Sequence, residues 1–187
     1  MTQLKHLKFQ LITAFLMIGT LALAQPKHSY YLGLLPAVTK EKSYGAGEFD
    51  VNIIPLVFQM PIHKRIYVRG TNIYNFHFGD ESEIADIGLE VATPVFLKSK
   101  ENKNEFSSGF YLSPVISWGR NFIDEHNTLI LAAEPGYMFR TKGKFALSAH
   151  LQFGGSLFMY ADNVDIWHQH LGIRVNLGFW NLFYRGT

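Results

Sequence analysis

The 187-residue chain has no cysteine. A disulfide framework is therefore excluded, and the fold must rest on packing and hydrogen bonds. Lipid attachment of the bacterial lipoprotein kind is excluded too, because it needs a cysteine just after the leader. Charge is scarce as well: Asp, Glu, Lys and Arg make up 17% of residues, against roughly 25% in ordinary soluble domains. The formal net charge is only +2, and no clustered basic face points to nucleic acid. Beyond the N-terminus no apolar run is long enough for a transmembrane helix, and no helical periodicity is seen. The hydrophobic residues, 48% of the chain, are dispersed in short segments. That suits either a β core or a β surface facing lipid.

What is present begins with a leader. Lys5 and Lys8 form a basic start, an apolar run extends from Phe9 to Leu23, and Ala22-Leu23-Ala24 supplies an A-x-A cleavage signature. Residues 1–24 are thus expected to be a secretory signal peptide, and 25–187 one mature domain. Loss of the leader leaves 15 basic and 15 acidic residues, a net charge near zero.

The mature region alternates with period two, segment after segment, between turn residues. In Ile84–Lys98, Ala85, Ile87, Leu89, Val91, Thr93, Val95 and Leu97 share one face; Asp86, Gly88, Glu90, Ala92, Pro94 and Phe96 share the other. Ile166–Trp180 sets Trp167, Leu171, Ile173, Val175, Leu177 and Phe179 against His168, His170, Gly172, Arg174, Asn176 and Gly178. Lys144–Tyr160, Thr128–Arg140, Ser107–Gly119 and Arg65–Phe78 behave alike. Phe49–Met60 and Ser29–Thr39 alternate less cleanly and are also read as strands. Eight segments joined by turns and loops predict an all-β, eight-stranded antiparallel up-and-down barrel.

Alternation leaves open which face is inside. A soluble ligand-binding barrel turns apolar residues inward, and a membrane barrel turns them outward. Three features favour the membrane arrangement. The polar face is rich in Gly, Ala and Ser, with lysine almost confined to strand ends and loops, unlike a solvent surface. Glu90, Glu134, His150 and Arg174 sit near mid-strand on that face, where acids and arginine can neutralise one another. Aromatics such as Tyr74, Phe96, Phe110, Trp118, Tyr137, Phe139, Trp167, Phe179 and Trp180 gather near strand ends, as interfacial girdles require.

The leader, the eight alternating segments and the closing strand together resemble the small outer-membrane barrels of Gram-negative bacteria, of the OmpA-transmembrane-domain and OmpX type. The leader ending in Ala-Gln and the aromatic-rich strands are similar to those of Bacteroidetes barrels. The last strand also resembles the C-terminal signal read by the barrel-assembly machinery, carried here by His170, Gly172, Val175 and Leu177, then Phe179. It departs from that pattern by continuing through Asn181–Thr187 instead of stopping on the aromatic. The resemblance implies an outer-membrane location, outer-membrane lipid as the surrounding partner, and the assembly machinery as a partner during biogenesis.

Candidate chemistry is sparse. Arg69, Glu90, Glu134, His150 and Arg174 are read as a structural charge network that plugs the lumen. His168 and His170 form H-x-H on one strand face, but two histidines do not specify a metal site. Ser148, His150 and Glu134 contain the parts of a hydrolase triad, which geometry must judge. Acidic residues Asp80, Glu81, Glu83, Asp124 and Glu125 fall in loops expected at one end, where calcium or an extracellular partner could bind, with a solvated loop surface as the default. The expectation is an integral outer-membrane protein of structural or surface-interaction type, with no catalytic residue, no metal and no cofactor. The alternatives are a secreted soluble lipocalin-like barrel for an apolar ligand, and an outer-membrane lipid-modifying hydrolase.

Overall fold

A computed structural model describes residues 29–36, 38–39, 46–79, 82–98, 107–141, 144–161 and 165–182. Residues Tyr30–Asn181 form one compact unit. The expected leader, most of the 98–105 connection and the loop acids Asp80 and Glu81 lie outside the described residues.

Eleven strands are found among the described residues: β1 Ser29–Leu34, β2 Val38–Thr39, β3 Phe49–Asn52, β4 Leu56–Pro61, β5 Tyr67–Phe78, β6 Ile84–Ala92, β7 Val95–Phe96, β8 Gly109–Asn121, β9 Asn127–Arg140, β10 Phe145–Met159 and β11 Asp165–Leu182. They make an antiparallel barrel of eight staves. Each stave pairs with its neighbour in sequence, and β11 pairs with β1 to close the ring. Three expected strands are interrupted, the first of them between Leu34 of β1 and Val38 of β2. The β6–β7 break falls at Thr93-Pro94, where proline has no N–H for the ladder. The β3–β4 break falls at Ile53–Pro55, and two asparagines hold it. The Asn52 side-chain oxygen accepts from the amides of Ile54 and Tyr74, each at 3.3 Å. Asn72 donates to the Ile54 carbonyl at 2.6 Å. The short β2–β3 pair extends the wall beyond that break, along the distal half of β5.

The ring is closed by β11 and β1, whose backbones approach closely at Gly178. A Cβ on Gly178 would lie 2.4 Å from the Leu32 carbonyl oxygen and 2.5 Å from the Gly33 Cα. Only glycine permits that approach.

The faces are well separated. Outward positions are apolar: Leu171 and Ile173 are 78% and 76% exposed, and Phe110, Leu112, Leu131, Phe153 and Phe179 are exposed as well. Inward positions are largely polar or small, with Gln59, Arg69, Glu90, Glu134, Gln152 and Asn176 all buried. Ala85 departs from the alternation. It is buried while Ile84 is exposed, because a bulge opposite Asn75 and Phe76 shifts the start of β6 by one residue. Phe96 and Trp180, expected in the outer girdles, point inward and are buried.

Candidate functional site: the barrel interior

At the end where β4 turns into β5, the lumen is closed by five rings. Tyr31 of β1 packs on Trp180 of β11 with centroids 5.2 Å apart, and Trp180 on Tyr67 of β5 at 5.7 Å. Tyr67 meets Phe96 of β7 at 5.2 Å, and Phe96 meets Tyr111 of β8 at 5.3 Å. Since β11 and β5 are not adjacent in the wall, this layer crosses the lumen rather than lining it. Its tilted and edge-on geometries are those aromatic rings prefer. Just before β8, the Ser107 amide donates to the Tyr67 hydroxyl at 2.9 Å.

Above the rings lies a charged layer. Arg69 donates to Glu134 at 2.6 Å and stands 3.6 Å from Glu90. Arg174 donates to Glu90 at 2.6 Å. Between the carboxylates sits Gln152, whose amide donates to Glu134 at 2.9 Å and to Glu90 at 3.2 Å. Its carbonyl oxygen faces His170 Nε2 at 3.1 Å. His150 completes the cluster, with Nε2 3.5 Å from Glu134 and Nδ1 3.2 Å from the Tyr111 hydroxyl. Arg69, Glu90, Glu134, His150 and Arg174 thus meet in one layer, brought from β5, β6, β9, β10 and β11. Two guanidinium groups offset two carboxylates. Such neutrality lets ions persist away from water, where an unpaired charge would be costly.

Sequence reasoning passed over Gln152 as the hub. Its signal was only its place on the His150 face of β10, two residues along. His170 joins the layer through Gln152, and Gly172 shares its inward face. Val175, Leu177 and Phe179 lie on the exposed outer face of β11.

The other candidates do not converge. Ser148 is buried, and its hydroxyl neighbours that of Tyr111. The imidazole of His150 turns to Tyr111 instead. His168 is exposed, with its ring 4.8 Å from that of Phe158. Among the described residues no group of His, Cys, Asp and Glu is arranged to hold a metal ion.

The far end carries a tight loop between β8 and β9. The Asn121 side chain accepts from the Asp124 amide at 2.7 Å, and the Asn121 amide donates to the His126 carbonyl at 2.8 Å. Glu125 takes a left-handed φ of 51°. The His126 ring is buried 4.5 Å from Phe158 and 5.0 Å from Tyr160. Burial pulls its imidazole below the ordinary range, against the opposing effect of Asp124.

No family model, curated protein or solved structure matches the chain.

Proposed function

We propose that this chain is an integral outer-membrane β-barrel of structural or surface-interaction type, exported by its leader, with both termini on the periplasmic side. The observation that carries the proposal is the inverted distribution of polarity. Large apolar side chains cover the outside, while buried charges occupy the middle of the inside. Moving one such side chain out of water is worth roughly 1.5–3 kcal/mol, so a belt of this size favours a hydrocarbon surround. Asn72 is a polar residue within the belt, and its amide is already bonded to the Ile54 carbonyl. The charged layer and the ring layer obstruct the lumen, so the barrel is assigned no wide pore and no catalytic role. Its partners are outer-membrane lipid, the assembly machinery during biogenesis, and an extracellular partner at the loop end.

Cell fractionation with gel mobility before and after boiling tests this. Recovery in the outer membrane, with a compact unboiled band that shifts on heating, is the expected result. Recovery as a soluble periplasmic or extracellular protein without a heat shift would overturn it in favour of a soluble ligand-binding barrel.

A further inference from the structure

The two ends of the barrel carry opposite charge. At the end where β4 turns into β5, Lys64, Arg65, Lys98 and Lys144 are exposed and Arg140 is half-buried, and no Asp or Glu stands there among the described residues. The connection between Lys98 and Ser107 adds two lysines and two glutamates, which leaves that excess as it is. At the loop end the balance is reversed. Glu48, Glu83, Asp124, Glu125 and Asp165 precede or open four strands, and Arg120 is the one lysine or arginine at that end among the described residues. The charged layer between the two ends is neutral.

A second observation falls at the level of the bases. Each has a large apolar side chain beside it that faces outward. Ile62 lies two residues before Lys64, Leu97 just before Lys98, and Phe139 just before Arg140, all exposed. The Lys144 carbonyl accepts from the Trp180 amide at 2.8 Å, next to exposed Phe179. Backbone contacts gather the first three bases on neighbouring staves. The Phe96 amide donates to the Arg65 carbonyl at 2.9 Å, and the Ser107 hydroxyl to the Lys64 carbonyl at 3.0 Å.

We infer that this turn end is a docking surface for the head groups of anionic phospholipids. The inference rests on the membrane reading proposed above. Lysine and arginine can lay their stems along apolar surface while the charged tip reaches the head-group level. Here every base has such surface next to it. An acidic soluble protein would match the charge alone, whereas a lipid matches the charge and the apolar residues beside it together. The loop end, being acidic, would repel the same head groups, so the selectivity belongs to one end of the barrel and not to its whole outer face.

The test is native mass spectrometry of the mature chain folded in detergent, with equimolar dimyristoyl phosphatidylglycerol and dimyristoyl phosphatidylcholine added. The two lipids share their chains, so a preference reports the head group. The wild type is expected to retain the anionic lipid about fivefold over the zwitterionic one at low ionic strength, the worth of one lysine or arginine near an anionic surface. The ratio should fall as salt is raised. The variant carrying Lys64→Gln, Arg65→Gln, Lys98→Gln and Lys144→Gln should retain both lipids alike. The variant carrying Glu83→Gln, Glu125→Gln and Asp165→Asn at the loop end should keep the wild-type ratio. If the first variant lacks the heat-dependent gel shift, Lys64→Gln with Lys98→Gln takes its place and should lower the ratio. Equal retention by the wild type, which would leave an acidic soluble partner as the occupant, would overturn the inference. A preference that survives loss of the four bases would do the same. So would a rise in the loop-end variant as large as the fall in the other, which would assign the preference to net charge. A doubled mass lost with the four bases would seat a second copy on this end and overturn it too. A wild type with no heat shift and no lipid of either kind would sink the membrane reading itself. A heat-shifting wild type that holds both lipids alike would sink only the docking surface.

Discussion

Arg69 is the residue whose removal tests the charged layer most directly. Arg69→Met keeps a long side chain but deletes the cation 2.6 Å from Glu134. Glu90 keeps Arg174 at 2.6 Å, so the loss falls on Glu134, a buried carboxylate left with Gln152 and His150. Breaking a buried pair in this way costs about 3–5 kcal/mol. The double variant Arg69→Met, Glu134→Met restores the balance of one guanidinium to one carboxylate, and should recover most of that loss. The assay is urea titration of the folded barrel, with the folded fraction read from unboiled gel mobility and the shift in midpoint converted at constant slope. A single variant within about 1 kcal/mol of wild type would show that the layer is a solvated cluster of the surface kind. A double variant less stable than the single one would refute the charge-balance argument.

Two further predictions concern the wall and the loop end. A Cβ on Gly154 would meet the Leu131 carbonyl oxygen at 2.1 Å and the Ala132 Cα at 2.6 Å, whereas nothing lies within 4 Å of one on Gly70. Gly154→Ala should therefore cost about 1–3 kcal/mol, as overpacking does, and Gly70→Ala should stay within about 0.5 kcal/mol of wild type, both by the same titration. For His126, burial lowers the folded-state pKa below that of the unfolded chain. The unfolded state then binds the proton first, so stability is fully present above the ordinary imidazole range and falls as pH drops through it. Urea midpoints from pH 7 down to pH 5 should fall further for wild type than for His126→Gln. Parallel curves would mean that His126 is not held neutral.

The barrel was legible because alternation is a backbone property: side chains on a strand leave by opposite faces whatever surrounds it. That is why the β9, β10 and β11 boundaries fall within a residue or two of the expected ones. Breaks were less legible. Pro94 and Pro55 could be read as punctuation, but the Asn52–Asn72 staple that holds one break joins residues twenty apart. A bulge is invisible to a count of twos, so Ala85 was placed on the wrong face. Phe96 and Trp180 were misplaced for a different reason. Aromatics near strand ends suit a girdle or a plug equally well, and the alternation that put Phe96 on the face of Glu90, and Trp180 on that of Arg174, was the better guide. Within the charged layer, the mid-strand charges announce themselves by rarity. A glutamine does not, although Gln152 touches both carboxylates.

The charged layer also bears on how the chain closes into a ring. Glu90 belongs to the fourth stave, and its shortest cationic contact comes from Arg174, 84 residues later on the final stave. Until that stave docks, Glu90 has only the more distant Arg69 and the Gln152 amide. An incomplete ring therefore carries an under-compensated acid facing its own lumen, and docking of the last strand removes that penalty together with both open edges. Non-local contacts of this kind form late. In the closed ring the eighth stave thus supplies the second guanidinium that balances the two carboxylates of the interior.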